Sequence, residues 1–333
     1  MKCNSIVVLG AGPAGLTAAL MLGRDALVVE RDERVGGCCR SILANGFTFD
    51  NAVPAMVSDD PYVRQLYAQL LGNNVCWHER GVRGNGRSPF AYPLRGGFQA
   101  LMDAFLPHLT ADLQLETEAV RISPSRRAVR LSDGSAVAFD ALISTIPLPR
   151  LVRLLGPEAP GEVWDAAAGL RHLSVRCVSL GVGRRIVTEK LWIDFPEKTI
   201  FQRIFVQGNA SPHCSPPGGF GLTCEIDYSK ERPLPAEGAE LIERCVEDLR
   251  KVGLIAEGDP IWTAREADLP YACLLSDRER GELNDHIRAW LLERNIFVAG
   301  GPGERENTSV HAFVTGRNAA LAVRERFAER LPS

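Results

Sequence analysis

The pattern that most restricts the fold stands at the start of the chain. Ser5–Leu9 is an apolar, β-branched run that predicts a short buried strand. Gly10-Ala11-Gly12-Pro13-Ala14-Gly15 follows with the spacing G-x-G-x-x-G, and a helix is predicted over Pro13–Leu22. In such a loop the first glycine allows a tight turn, the second lets the backbone approach a pyrophosphate, and the third lets the helix lie close on the sheet. The helix then presents its N-terminal N–H groups to the phosphates.

A second strand and an acid complete this pattern. Ala26–Val29 predicts the strand, and Glu30 closes it about 20 residues after the first glycine, where an acid binds a ribose hydroxyl. Strand, loop, helix and acid together predict a Rossmann-like unit for a dinucleotide rather than a chance glycine-rich turn. NAD and FAD fit this pattern alike, so it identifies no reaction.

A second glycine motif follows directly in the sequence VVERDERVGGCCRS, Val28–Ser41. It reads Arg34-x-Gly36-Gly37-x-x-Arg40-Ser41. The glycine pair lets the chain pass close to a ligand, and Arg40 supplies a charge-assisted donor for a second phosphate. An NAD enzyme has no use for a second clamp at this place, so the motif favours FAD.

Cys38 and Cys39, inside this motif, have three interpretations. The preferred one is that they are small packing residues in a tight segment. The second is that one of them is a redox-active thiol near the flavin. The third and least favoured is a strained vicinal disulfide.

The two motifs resemble the opening of the superfamily of flavin amine oxidases, protoporphyrinogen oxidases and UDP-galactopyranose mutases. Gly46–Gly72 is similar to the family's segment from the flavin into a helical substrate region, and Ala91–Phe105 looks like its Pro-x-Gly-Gly loop and following helix. Glu116–Leu148 is similar to the stretch that returns to the nucleotide-binding sheet. The resemblance implies FAD as the cofactor and a backbone contact from Val120 to adenine.

The C-terminal segment Asn295–Val323 predicts a strand, a glycine loop and a helix with Asn307 or Thr308 as its N-cap. The apolar stripe of this helix is predicted to be Val310, Phe313, Val314 and Leu321. In similar proteins this loop and helix start cradle the flavin, and a helix N-terminus can stabilise negative charge on a reduced flavin. The residues predicted to bind FAD are Gly10, Gly12, Pro13, Ala14, Gly15, Glu30, Arg31, Gly36, Gly37, Cys38, Arg40, Val120, Gly300, Gly301, Thr308, Ser309 and Val310.

The predicted fold class is α/β. An FAD-binding Rossmann-like domain of the glutathione-reductase type is interleaved with an antiparallel-sheet substrate domain and a small helical region. The FAD-binding domain is expected in three parts, at residues 1–60, 91–150 and 276–333, with the helical substrate region at 61–90 and the sheet domain at 151–275. Successive short strands in the sheet domain are divided by Pro and Gly, and a helix is predicted over Glu237–Lys251.

Four residues are candidates for a catalytic or substrate-binding role, and the sequence assigns that role to none of them. Arg203 alternates with aromatic residues and points either toward an anionic substrate or, with equal weight, into solvent. Tyr271 and Cys273 lie where relatives bring aromatic side chains to the substrate or flavin, although a buried structural cysteine is the preferred interpretation of Cys273. His311 is expected near the flavin as a neutral acceptor or, by preference, facing solvent.

Composition excludes several classes of partner. A formal net charge of −3 gives no attractive field for nucleic acid. Nine cysteines, an odd number without framework spacing, indicate a reducing compartment. No stretch has the roughly 18 apolar residues of a spanning helix. We therefore expect a cytoplasmic protein that acts on a small molecule, with no membrane insertion and no metal site; its oligomeric state is left open.

The preferred function is that of an FAD-dependent oxidoreductase that takes a hydride from a C–N or C–C bond of a small substrate. Oxygen or another acceptor would then reoxidise the flavin. The alternatives are a non-redox nucleotide-sugar mutase and a flavin-binding protein without catalysis. The mutases place a glycine-histidine segment by the flavin where this chain has Asn51-Ala52-Val53-Pro54-Ala55. Amine oxidases carry an aromatic cage near a C-terminal loop that here contains Glu304-Arg305-Glu306-Asn307.

Overall fold

The computed structural model of the protein describes residues 5–51, 56, 58, 60–78, 90–195, 199–275, 278–300 and 309–328. The chain divides into two compact units. Unit one consists of Met1–Gly37, Met102–His172 and Cys273–Ser333, and unit two of Cys38–Leu101 and Leu173–Ala272.

The described residues form helices and strands in alternation along the chain. The α-helices are α1 (Pro13–Leu22), α2 (Pro61–Leu71), α3 (Gly97–Asp103), α4 (Leu148–Leu155), α5 (Gly161–Gly169), α6 (Gln207–Ala210), α7 (Gly238–Lys251), α8 (Arg278–Leu292) and α9 (Ser309–Arg326). The first strands are β1 (Ile6–Leu9), β2 (Ala26–Val29), β3 (Ser41–Ala44), β4 (Phe47–Asp50), β5 (Val75–His78), β6 (Phe90–Pro93), β7 (Asp112–Gln114), β8 (Ala119–Ser123) and β9 (Ala128–Leu131). The remaining strands are β10 (Ala136–Ala138), β11 (Ala141–Ser144), β12 (His172–Val182), β13 (Trp192–Asp194), β14 (Arg203–Phe205), β15 (Phe220–Tyr228), β16 (Ile261–Leu274) and β17 (Ile296–Val298).

Unit one is built on a parallel sheet with the strand order β17-β11-β1-β2-β7. All four residues of β1 are buried, as expected of a strand in a parallel sheet with covered faces. Ile6 pairs with Ala26 on one side and with Ala141 on the other. The carboxyl ends of β1, β2 and β11 therefore meet at one edge, and the two glycine motifs begin at this edge.

Helices α1 and α9 of unit one approach each other through small side chains. The buried residues of α9 are Phe313, Gly316, Ala319, Ala320 and Val323. A Cβ on Gly316 would overlap the backbone of Ala14 in α1. The predicted apolar stripe is wrong at Leu321, which is 48% exposed. Close approach of two backbones selects glycine and alanine for this face, so side-chain hydrophobicity alone misplaced it.

Unit two is built on an antiparallel sheet with the order β13-β14-β15-β12-β16. Leu222 and Cys224 of β15 belong to the buried core on one face. Leu241, Cys245 and Leu249 of α7 belong to the same core, which confirms the predicted i, i+4 spacing of this helix. Alternation along each strand places Thr223 and Glu225 on the opposite face.

Strand β4 packs on that opposite face, where glycines leave room for aromatic rings. Phe47 and Phe49 stack with their ring centroids 5.6 Å apart. A Cβ on Gly181 would lie 2.5 Å from the Phe47 ring, and one on Gly219 would lie 2.7 Å from it. The glycines of this sheet are thus sites of close packing.

The structure confirms the predicted fold class, a Rossmann-like sheet interleaved in sequence with an antiparallel sheet. The prediction missed β16, which the sequence suggested was a connection leading back to the FAD-binding domain. Pro270 lies in β16. Proline is tolerated there because β16 is an edge strand of its sheet. The five-part division into functional segments stays a prediction, since the two units are defined by packing.

The helices of the described residues do not have the character of membrane spans. None of them combines the length and the apolar composition that crossing a bilayer requires.

Candidate functional site

The loop between β1 and α1 forms the first part of the site. Gly10 has φ +99° and donates its N–H to the carbonyl of Val29 at 2.8 Å, which ties the turn to β2. A Cβ on Gly15 would overlap the carbonyl of Gly10, so only glycine lets α1 begin this close to the turn. Among the described residues no side chain caps the N-terminus of α1. A helix start of this kind suits an anion.

The glycine pair after β2 lies against this loop. Gly36 donates its N–H to the carbonyl of Ala11 at 2.8 Å. Gly37 has φ +55°, and a Cβ there would lie only 3.2 Å from the Cα of Gly12. Within unit one the two motifs therefore form a single cradle, and the glycine pair shapes it by contact with the first loop.

Glu30 connects the end of β2 to both parts of the cradle. It is 6% exposed, and its Oε2 accepts a hydrogen bond from the N–H of Ala11 at 2.7 Å. Its Oε1 accepts from the N–H of Asp32 at 2.9 Å. The predicted contact of Glu30 with a ribose hydroxyl stays a prediction, and it is compatible with these bonds because each carboxylate oxygen can accept more than one. The sequence motif gave no sign that Glu30 holds the loop itself.

The C-terminal glycine strand end reaches the same cradle. Gly300 has φ +65°, and a Cβ there would lie 3.2 Å from the Cβ of Ala14. The N–H of Gly300 donates to Oγ1 of Thr315 in α9 at 2.8 Å, and that hydroxyl donates to the carbonyl of His311. Thr315 was missed by sequence reasoning, since a threonine within a helix carries no distinguishing pattern. The predicted site residues Gly301 and Thr308 lie outside the described residues.

The other predicted contacts in unit one are Val120, Arg31, Ser309 and Val310. Val120 is 46% exposed and lies at a β-bulge, where the β8–β9 register shifts between Ala119 and Arg121. A bulge takes backbone groups out of the ladder, which suits the predicted backbone contact. Ser309 and Val310 begin α9 and are half-buried.

Cys38, Cys39 and Arg40 belong to unit two. Both cysteines are free thiols, so the vicinal-disulfide interpretation is wrong. Burial raises the pKa of the Cys39 thiol, and the neighbouring Cys38 and Asp50 raise it further. A raised pKa disfavours the reactive thiolate, which argues against Cys39 as the redox-active thiol and favours a packing role.

Two family profiles match the chain. The NAD(P)-binding Rossmann-like domain matches residues 8–70, which include both glycine motifs. The profile of the flavin containing amine oxidoreductases matches residues 70–322, most of the chain. The chain belongs to the flavin containing amine oxidoreductase family.

Individual relatives of this family member match over shorter stretches. An uncharacterized protein in the nifH2 3' region of Methanothermococcus thermolithotrophicus is 47% identical over 75 residues, which are 20% of this chain and 72% of that protein. Protoporphyrinogen oxidase 2 of Arabidopsis thaliana is 28% identical over 144 residues, 39% of this chain. The chain spans only 26% of the length of that plant protein.

A solved structure is similar over nearly the whole length. It is a reduced UDP-galactopyranose mutase with a TM-score of 0.86 and 18% identity, and the match covers 97% of this chain and 96% of that one. At this identity the likeness establishes the fold.

The cofactor of this flavin containing amine oxidoreductase is FAD, and the cradle fits such a dinucleotide. Among the described residues, the space into which a Cβ of Gly12 would point holds only the Cα of Gly37 within 4 Å. A pyrophosphate needs open space at this glycine and the start of a helix beside it. Gly10, Gly12, Ala14, Gly37 and Gly300 are brought together here, as the sequence predicted for FAD-binding residues.

Arg203 lies on the β4-facing side of the unit-two sheet, in a row with two carboxylates. Its pairing register places Asp194 on one side of it and Glu225 on the other. Its Nε lies 3.1 Å from Asp194 Oδ1 and its Nη1 lies 3.6 Å from Glu225 Oε2. The guanidinium therefore already has two ion-pair partners.

The remaining candidates have intermediate exposure. Tyr271, Cys273 and His311 are each half-buried, so Cys273 is less buried than expected of a structural cysteine. The carbonyl of His311 accepts a hydrogen bond from Thr315 at 2.8 Å, which places His311 beside the residue that fixes Gly300. Among the described residues, no group of three or more His, Cys, Asp and Glu side chains could hold a metal ion.

Proposed function

We propose that this family member removes a hydride from a C–N or C–C bond of a small substrate, and that oxygen or another acceptor takes up the electrons. The observation that supports this most is the charge around Arg203. Asp194 and Glu225 flank it at ion-pair distance. Asp227 lies two residues along β15 from Glu225, on the same face.

This arrangement does not suit a nucleoside diphosphate. A diphosphate clamp needs cations whose charge is not already compensated by carboxylates. Here one guanidinium stands among three acids, and Arg203 also acts on Asp227 by lowering its pKa, although burial raises that pKa more strongly. The local charge is negative, which favours a neutral or cationic substrate such as a protonated amine. The anionic substrate suggested by the sequence is disfavoured.

The residues of unit one would hold the cofactor through its nucleotide half. Gly12, Gly37 and the first turn of α1 would receive the pyrophosphate, and Glu30 the ribose while it holds the loop through Ala11. When bound, FAD supplies the two-electron acceptor for the hydride. The protein contributes the position of the cofactor and the charge near the substrate.

The experiment is an anaerobic titration of the purified yellow protein while its flavin spectrum is recorded. We expect an amine or an alkane-type substrate to bleach the oxidised flavin without added reductant. Uridine and thymidine diphosphates should bind no better than inorganic phosphate, to the oxidised and to the dithionite-reduced protein alike.

Arg203→Ala distinguishes the two functions, with Arg176→Ala as its control. Arg176 is also paired with two carboxylates, at 2.8 Å to Glu266 and 3.3 Å to Asp268. For an oxidoreductase neither variant should change the affinity for nucleotide diphosphates. Micromolar binding that is lost in Arg203→Ala alone, together with activity that needs prior reduction, would overturn the proposal in favour of the mutase.

A further inference from the structure

A buried carboxylate at the end of β4 receives three hydrogen bonds. Asp50 is 1% exposed. Its Oδ1 accepts from Ser41 Oγ at 2.5 Å and from the backbone N–H of Phe98 at 2.9 Å. Its Oδ2 accepts from the hydroxyl of Tyr92 at 2.5 Å. The sequence motifs did not draw attention to any of these groups.

The hydrogen-bond directions in this cluster are set by further partners. Ser41 Oγ accepts from the N–H of Gln99 at 2.9 Å, and its own proton goes to Asp50. The Tyr92 hydroxyl accepts from the Cys214 thiol and donates to Asp50. Burial raises the pKa of Asp50, and the three donors oppose that shift. The donors are thus arranged for an ionised carboxylate.

The cluster joins the segment that carries Arg40 to the start of α3. Ser41 and Asp50 are register partners in the β3–β4 hairpin, and the N–H of Asn51 donates to the carbonyl of Arg40 at 2.9 Å. Phe98 and Gln99 offer first-turn N–H groups of α3 to this hairpin. Gly97 fits beneath it because a Cβ there would lie 2.5 Å from Ser41 Oγ and 2.9 Å from Asp50 Oδ1.

We propose that Asp50 is a positioning residue for FAD binding. Its carboxylate holds Ser41, and with it the backbone of Arg40, in the place from which the Arg40 side chain reaches a phosphate of the cofactor. The inference rests on the phosphate contact proposed for Arg40.

A helix-capping role alone does not need this arrangement. Asp60 caps α2 by accepting from the N–H groups of Tyr62 and Val63 at 2.8 and 3.2 Å, and it lies in an ordinary half-buried position. Asp50 is instead enclosed, and burying a carboxylate is unfavourable unless its hydrogen bonds are good. Its three donors come from three separate parts of the chain, one of which adjoins Arg40.

The test compares Asp50→Asn with Asp60→Asn and Arg40→Met. FAD affinity is measured by fluorescence titration of apoprotein, at a temperature where each variant is folded, and the absorption spectrum of the bound flavin is recorded. We expect Asp50→Asn to weaken FAD binding about tenfold, the size expected for loss of a charge-assisted contact, and to shift the flavin absorption bands. Asp60→Asn should lower the melting temperature and leave FAD affinity unchanged.

Two outcomes of this test are distinguishable failures. If Arg40→Met binds FAD as the wild type does, the phosphate contact of Arg40 is wrong. If Arg40→Met weakens binding while folded Asp50→Asn binds FAD as tightly as the wild type, the positioning role of Asp50 is wrong.

A second pair of variants decides the matter if Asp50→Asn does not fold. Ser41→Ala and Tyr92→Phe each remove one donor to Asp50, but only Ser41 adjoins Arg40. Positioning predicts a clearly larger loss of FAD affinity for Ser41→Ala than for Tyr92→Phe. Equal affinities in the two variants, with only their melting temperatures lowered, would overturn the proposal.

Discussion

Gly12 and Gly37 touch each other through their backbones, with 3.2 Å between the Cα of Gly12 and the place that a Cβ of Gly37 would take. The two residues come from different motifs, one at the start of a helix and one after the next strand. Their contact explains why a chain with one phosphate loop has a second glycine pair directly after β2.

Gly37→Ala should therefore weaken FAD binding more than backbone strain alone would. The matched control is Gly156→Ala, because Gly156 has φ +57° against +55° for Gly37 but nothing within 4 Å of its Cβ position. We expect both variants to lose about 1 kcal/mol of stability from the left-handed backbone. Only Gly37→Ala should also lose FAD affinity, by about tenfold or more, in a fluorescence titration. Equal affinities would show that the glycine pair does not shape the cofactor site.

Glu30 offers a second test, since both of its oxygens accept backbone hydrogen bonds. In Glu30→Gln the side chain keeps one acceptor oxygen, and its NH₂ group must then face a backbone N–H. We expect a loss of about 1–3 kcal/mol, the usual cost of an unsatisfied buried group, divided between the free energy of unfolding of the apoprotein and that of FAD binding. Urea unfolding and FAD titration measure the two parts. Glu33→Gln, at an exposed neighbouring position, should change neither.

The packing of α1 on α9 predicts opposite effects for two helical glycines. A Cβ on Gly316 would overlap the backbone of Ala14, whereas Gly161 at the start of α5 has nothing within 4 Å. Gly316→Ala should therefore lower the free energy of unfolding by about 1–3 kcal/mol through overpacking. Gly161→Ala should be neutral or stabilising by up to about 1 kcal/mol, the difference in helix propensity. A stabilised Gly316→Ala variant in chemical unfolding would contradict the close approach of the two helices.

The sequence was sufficient for the parts of the site that depend on local backbone geometry. The boundaries predicted for the first helix, Pro13–Leu22, and the second strand, Ala26–Val29, agree with the structure. Glycines at fixed spacing after an apolar strand leave few alternatives, because the turn, the close approach and the helix start each require one of them. The fold class followed from the same local signals.

What escaped prediction depends on groups that are far apart in sequence. Asp50 meets Ser41, Tyr92 and Phe98 only after the hairpin, β6 and α3 have come together. The partners of Arg203 follow from the register of three strands, which no local pattern specifies. A polar residue in a strand has the same appearance in the sequence whether its partner is a substrate or a neighbouring carboxylate.

Stability near neutral pH should depend on His172, at the start of β12. Burial lowers the pKa of its imidazole below the ordinary value of 6.5. Between that lowered pKa and 6.5 the unfolded chain binds more protons at this residue than the folded chain does, so its contribution to stability is intact above 6.5 and is lost as the pH falls below it. His172→Gln should therefore flatten the fall in unfolding free energy between pH about 6.5 and about 5, by at most about 1.4 kcal/mol per pH unit, the slope of a single proton. Urea unfolding across this range measures it. The exposed His286 provides the control: His286→Gln should retain the wild-type pH profile, and a wild-type profile in His172→Gln as well would mean that His172 is not protonated at greater cost in the folded state.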